Sequence, residues 1–288
     1  MASSANRNQK GQSSPASYEI LWPSTWRNRG SLVGPGSPEA RHLTGRTPSL
    51  LAIHGFGGTP RDVDLLLDIA AKMGLAASAP LLPGHGTRVQ DLISTRYEDW
   101  LSAALAEYRT LRKHGDVIVA GLSLGAVIAA RIASESPAAG LVLLANAFWL
   151  NSPYPARFLA VAEQLPLPKN WWVPKLAPDI DDLERRKEHL GYDAQLIGSA
   201  LEVYRMGREN RLRLGSITCP TLVIHGQLDK VCPASNAKRV VDALGTRDTR
   251  CVILANSGHI LTRDRERDEV TRECHLFLAR LVAQPTHP

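Results

Sequence analysis

The chain has 288 residues, a formal charge of +6 and 44% hydrophobic residues, enough apolar material for one large α/β domain or two small ones with a substantial core. The charge does not point to nucleic acid, because arginines alternate with acids, as in Arg263-Asp264-Arg265-Glu266-Arg267-Asp268, without a dense basic block. Cys219, Cys232, Cys251 and Cys274 lack the CxxC spacing of a zinc or redox site, and in so large a core they are expected as buried free thiols.

Residues 1–17 are rich in Ser, Asn, Gln and Gly with little to bury, which predicts a disordered tail. The first ten residues lack the apolar stretch of a signal peptide and no later run approaches a membrane span, so a cytoplasmic protein without stable membrane insertion is expected. Strand-length apolar runs then follow at Leu50–Ile53, Leu75–Ala79, Val117–Ala120, Leu141–Leu144, Thr221–Ile224 and Cys251–Leu254. Such continuous runs fit strands buried on both faces of a parallel sheet. Between them Trp100, Leu101, Ala104, Leu105, Tyr108 and Leu111 recur at helical spacing, as do Val270, Cys274, Phe277, Leu278 and Leu281. The alternation predicts a doubly wound α/β domain from residues 18–147 and 215–288.

The rhythm breaks between Leu144 and Thr221, where prolines at 153, 155, 166, 168, 174 and 178 and a charged helical stretch occur. A segment this long between two strands predicts a helical cap over the sheet, residues 148–214. Trp149, Trp171 and Trp172 are candidates for substrate contact there and equally for packing within the cap. The arginines at 205, 208, 211 and 213 read as a solvated helix face.

Chemistry is signalled at Gly121-Leu122-Ser123-Leu124-Gly125, which stands between an apolar run and the small-residue stretch Ala126–Ala130. A Gly-x-Ser-x-Gly turn from strand to helix lifts the serine hydroxyl clear of the sheet. That hydroxyl needs a histidine to take its proton and a carboxylate to orient the histidine. Asp229 follows the Thr221–Ile224 run, and His259 follows the Cys251–Leu254 run in Asn256-Ser257-Gly258-His259. The order Ser, Asp, His is that of α/β-hydrolases. Gly55-Phe56-Gly57-Gly58 after the first long run can aim a backbone N–H at an oxyanion, and the residue after the nucleophile supplies a second, so the donors are the amides of Phe56 and Leu124. Asp181, Asp182 and Asp264 compete with Asp229, but the first two fall in the cap and Asp264 opens the last helix, where a carboxylate suits the helix dipole.

Further stretches carry a family resemblance: His54-Gly55-Phe56-Gly57-Gly58-Thr59-Pro60, Leu82-Pro83-Gly84-His85-Gly86-Thr87, Tyr97-Glu98-Asp99-Trp100, Gly121–Gly125, His225–Pro233 and Ser257-Gly258-His259-Ile260-Leu261. In this order, from about residue 49 to 282, they resemble α/β-hydrolase-fold serine esterases of the bacterial carboxylesterase and monoacylglycerol lipase type. The resemblance implies a mostly parallel central sheet flanked by helices, with a helical cap inserted after the sixth strand. It also implies Ser123 as nucleophile, His259 as general acid/base, Asp229 as its orienting carboxylate and the Phe56 and Leu124 amides as oxyanion hole. The implied substrate is a small acyl ester, of short to medium chain length, with monoacylglycerols among the natural candidates.

No cofactor or metal is expected, since His54, His85 and His225 sit at separate loops with no ligand pair one helical turn apart, and structural hydrogen bonding is their simpler reading. The same apparatus would serve a thioesterase, acyltransferase or peptidase, and a non-catalytic ligand-binding scaffold is the rival from outside enzymes. Neither oligomeric state nor the physiological ester is encoded in these patterns.

Overall fold

Five of the six apolar runs become strands whose residues are buried on both faces, and the polar, glycine-containing stretches between runs become the loops that carry the site. The structure, a computed structural model, describes residues 31–150, 156–165, 171–174 and 177–283. In chain order it contains β1 (Leu32–Val33), β2 (Arg41–Leu43), β3 (Arg46–Ile53), α1 (Asp64–Lys72), β4 (Leu75–Ala79), α2 (Tyr97–Arg112), β5 (Val117–Leu122), α3 (Leu124–Glu135) and β6 (Gly140–Leu144). There follow α4 (Ala156–Gln164), β7 (Trp172–Pro174), α5 (Leu183–Lys187), β8 (Gly191–Tyr192), β9 (Ala194–Leu196) and α6 (Ile197–Arg211). The chain returns with β10 (Thr221–Gly226), α7 (Ser235–Ala243), β11 (Thr249–Leu254) and α8 (Arg267–Ala283).

Among the described residues the central sheet has seven strands in the order β11-β10-β6-β5-β3-β4-β2, parallel throughout except for β2, which runs antiparallel to β4. Alternate strand residues face opposite ways. Leu51, Ile53, Val119, Leu141, Leu143 and Val223 meet apolar residues of α2, α3, α6 and α7, whereas Leu50, Ala52, Ile118, Val142, Leu144 and Leu222 meet those of α1 and α8. Trp100 on α2 is wholly buried and donates its ring N–H to Pro83 O at 3.1 Å, which ties a core helix to the loop after β4. The expected α/β-hydrolase fold, a mostly parallel sheet covered by helices, is the one observed.

Several expectations need correction. Cys251–Leu254 is not a two-face-buried strand: among the described residues β11 is the sheet edge, with no strand paired beyond it, and Cys251 and Ile253 are exposed. Of the four thiols only Cys232 and Cys274 are buried, while Cys219 is half-buried and Cys251 exposed. The short polar strand β2 at the other edge escapes an apolar-run reading because none of its three residues is buried: His42 is exposed, and Arg41 and Leu43 are half-buried. The 148–214 segment is not purely helical, since β7 pairs with β9 and β8 with β1. The expected disordered tail lies outside the described residues. No described helix is long and apolar enough to cross a membrane.

Candidate active site

Ser123 occupies the turn between β5 and α3 with φ 57° and ψ −114°, a left-handed conformation that a side-chain-bearing residue adopts only when its surroundings impose it. They do so by contact. A Cβ on Gly121 would lie 2.1 Å from Gly125 C, and one on Gly125 would lie 2.0 Å from Ile53 O, so both flanking residues must be glycine for the turn to close against β3. Ser123 N–H donates to Leu144 O at 2.9 Å, and Ser123 O accepts from Ala126, Val127 and Ala147. Local sequence and neighbouring strand together fix the hydroxyl at the carboxyl end of the sheet.

There Ser123 Oγ stands 2.8 Å from His259 Nε2, and His259 Nδ1 stands 2.8 Å from Asp229 Oδ2. Asp229 also has two backbone donors on Oδ1, Val231 N and Cys232 N, each at 2.8 Å. Burial opposes its ionisation, but the His259 charge and the hydrogen bonds from His225 and His259 outweigh burial and hold the carboxyl below the ordinary carboxylate range. An ionised carboxylate only accepts, so the His259 proton resides on Nδ1 and Nε2 presents its lone pair to the serine hydroxyl.

The Asp229 and His259 loops are packed on one another: a Cβ on Gly226 would lie 2.3 Å from both Ser257 O and Gly258 O. A third segment, after β7, holds them together. Asp179 O accepts from His259 N at 3.0 Å and Ile260 N at 3.1 Å, while its carboxylate accepts from Lys230 N at 2.8 Å. Asp264 is fully buried and accepts from the amides of Asp181, Asp182, Gly258 and Arg265. The dipole reading of Asp264 is therefore corrected. α8 begins at Arg267, three residues later, and the carboxylate instead satisfies orphan backbone donors around the histidine loop. Asp182 caps α5 through Glu184 N and Arg185 N.

Phe56 lies in the loop after β3, and Leu124 is the first residue of α3. Gly55 sits against the serine, with a would-be Cβ 3.4 Å from Ser123 Cβ. His54 braces this loop: its Nε2 accepts from Leu82 N at 3.1 Å, so Nδ1 carries the proton and donates to Gly55 O at 2.9 Å, and burial lowers its pKa. Behind Phe56 are the rings of His85 and Trp100, at centroid distances of 6.0 and 5.8 Å. His85 is pushed down to about 3 by burial and is neutral at physiological pH. Tyr192 stacks on His85, donates its N–H to Gly57 O and its hydroxyl to Gly84 O. These histidines serve as hydrogen-bonded braces, as their sequence setting suggests.

The three tryptophans differ in their surroundings. Trp149 is half-buried, with the guanidinium groups of Arg211 and Arg239 over its ring, 4.8 and 5.3 Å from the centroid. Trp171 is 54% exposed, and the Trp172 side chain lies outside the described residues. The arginines of α6 are not a free solvated face: Arg205 and Arg208 hold Glu163 of α4, and Arg211 donates to Phe148 O. For a metal, Asp229, Cys232 and His259 bring one ligand atom each within 4.8 Å of one another. Those of Asp229 and His259 are engaged in the hydrogen bonds above, and burial raises the Cys232 thiol pKa well above its usual value.

A serine on a strand-to-helix turn at the carboxyl end of a parallel sheet, faced by a histidine and a carboxylate from the loops after the last two strands, defines an α/β-hydrolase. Residues 47–266 match the family described as serine aminopeptidase, S33, and the chain belongs to that family, as an α/β-hydrolase of the esterase and lipase kind. It is similar to the thermostable monoacylglycerol lipase of Bacillus sp. strain H-257, with 27% identity over 232 residues, 80% of this chain and 90% of the lipase. It is 25% identical over 249 residues to the carboxylesterase of Bacillus subtilis strain 168, covering 85% of this chain and 98% of that enzyme. Among solved structures, one from work on LipS and LipT, two metagenome-derived lipolytic enzymes, superposes with a TM-score of 0.78 at 25% identity, covering 86% of this chain and 99% of the other.

Proposed function

We propose that this protein is a serine carboxylesterase acting on short- to medium-chain acyl esters, monoacylglycerols among them, through Ser123, His259 and Asp229. The observation that carries the reading is the unbroken run of hydrogen bonds from Ser123 Oγ through His259 to Asp229. His259 Nε2 takes the hydroxyl proton as Ser123 Oγ attacks the ester carbonyl, and Asp229 stabilises the imidazolium that forms. The amides of Phe56 and Leu124 hold the oxyanion. The imidazolium gives its proton to the departing alcohol, then the neutral ring activates water to release the acid and restore Ser123. Every step uses side chains and amides of this chain, with no cofactor or metal.

The monoacylglycerol lipase and carboxylesterase relatives, each matched over most of its length, support an ester rather than a peptide as substrate. In this reading residues 148–214 cover the serine as a cap whose apolar side chains receive the acyl chain. Each buried methylene contributes about 0.8 kcal/mol. The test is hydrolysis of ester series from acetyl to lauroyl, with glyceryl, thioester and aminoacyl-amide head groups in parallel. kcat/KM is expected to rise by up to about a few-fold per added carbon until the pocket is full and then to fall. A preference for amides or thioesters over every oxygen ester would reject the carboxylesterase reading.

A further inference from the structure

We infer that His225 is a positioning residue for the catalytic acid, acting through the same carboxylate oxygen that His259 uses. His225 ends the apolar part of β10 and is wholly buried, as is the Asp229 side chain. Its Nε2 lies 3.0 Å from Asp229 Oδ2 and 3.3 Å from Cys232 O. Both neighbours are acceptors, so Nε2 must carry the proton and point it at them. Nδ1 has no hydrogen-bond partner among the described residues. The ring therefore has one polar task in the fold, and that task is directed at the Asp229 loop.

The carboxylate consequently has unequal oxygens. Oδ1 is held by two backbone amides that no side-chain change removes, whereas Oδ2 is divided between two imidazoles. A donor on Oδ2 fixes rotation of the carboxyl group toward His259, and it also draws off part of the negative charge that would otherwise favour the His259 imidazolium. Loss of His225 thus has two consequences that ordinary packing damage does not couple. Turnover falls because the carboxylate, still pinned at Oδ1, can turn about that anchor and misaim the His259 ring bonded to it, and His259 holds its proton more tightly because it has Oδ2 to itself. The inference rests on the triad proposed above.

Glutamine places its amide nitrogen where histidine has Nε2, and asparagine places its own where histidine has Nδ1. The experiment compares His225→Gln, His225→Asn and His225→Leu by the pH dependence of kcat and kcat/KM, with folding checked by circular dichroism. His225→Gln is expected within about threefold of wild-type kcat with its acid limb in place. His225→Asn and His225→Leu are expected to lose about tenfold or more in kcat and to shift the acid limb upward by about half a pH unit. The proton NMR signal of His259 Nδ1–H gives a readout that needs no turnover, and is expected further downfield in His225→Leu than in His225→Gln. Equal behaviour of Gln and Asn, or an acid limb that stays or moves down in His225→Leu, overturns the inference. A serine-reactive phosphonate applied to each variant separates the two levels. An adduct on Ser123 with indistinguishable Gln, Asn and Leu variants rejects only the role of His225, whereas an adduct elsewhere rejects the triad beneath it.

Discussion

The loops at the carboxyl end of the sheet and the segment inserted between β6 and β10 are held by different forces. Around Ser123, Asp229 and His259 the positions are set by backbone: glycines in contact with backbone atoms, amides bonded to carbonyls, and buried carboxylates gathering several N–H donors each. In the insertion, α4 rests on α6 through the small apolar cluster of Leu159, Leu201 and Tyr204 and the clamp of Arg205 and Arg208 on Glu163. Nearer the site the insertion changes character. Asp179, Asp264 and Tyr192 tie its residues 179–192 to the histidine loop and to the loops after β3 and β4. The contrast separates a rigid part, where on the proposed reading a small displacement costs rate, from an outer part held by side chains and freer to vary.

The largest effects belong to the rigid part. Ser123→Ala and Asp229→Asn should each lower kcat by about three orders of magnitude or more, because nucleophile, base and acid act as one unit. Steady-state kinetics on one ester decide it, and near-normal turnover in Asp229→Asn would remove Asp229 from its proposed role. Next comes Asp264→Ala, which strands four backbone donors. It is expected to cost about 2–3 kcal/mol of stability and about tenfold in kcat as the His259 loop loosens, read by denaturant unfolding beside kinetics. A loss of stability with unchanged kcat would show that the segment after β7 does not position His259.

The outer part should respond differently. Glu163→Gln weakens the clamp from both arginines and is expected to change kcat/KM for octanoyl and longer esters by about a few-fold while acetyl esters are unaffected. Equal losses across the series would mean that α4 is part of the rigid frame. Trp171→Ala has the smallest expected effect: its ring is more exposed than buried, so stability should stay within about 0.5 kcal/mol, and any change should fall on the longest esters.

The pH response sharpens the same division. Folding lowers the Asp229 pKa, so its ionised form adds stability at and above about pH 4, the unfolded value, and loses it as pH falls toward the depressed folded value. The stability curves of wild type and Asp229→Asn should therefore converge in acid. Since Asp229 stays ionised well below neutrality, the acid limb of kcat/KM belongs to one imidazole, and a second acidic limb near pH 4 would contradict that assignment.

Most of the rigid part is legible in the sequence because it is written locally. The apolar runs anticipate β3, β4, β5, β6 and β10 within a few residues, and the glycines around Ser123 announce a turn that only glycine can close. The edges are less legible: β11 has an apolar sequence yet carries an exposed Ile253, because position in the sheet, not composition, decides burial. What escapes entirely are ties between distant residues. Asp264 bonds amides 82 and 83 positions away, and the α6 arginines reach Glu163 from 42 and 45 positions off, so within its own window Asp264 reads as a helix-opening carboxylate and the arginines as a solvated face. His225 is the instructive middle case. Its partner is only four residues on, but its setting beside a glycine signalled a strand end and not a donor to the acid.

Ser123 is the residue proposed to take the acyl group, and every other proposed role depends on it. Wild type and Ser123→Ala are treated with a serine-reactive phosphonate and examined by intact mass and peptide mapping. One adduct is expected in the wild type, on the peptide containing Ser123, in step with loss of esterase activity, and none in Ser123→Ala. An adduct on another residue, together with an active Ser123→Ala, would contradict that role.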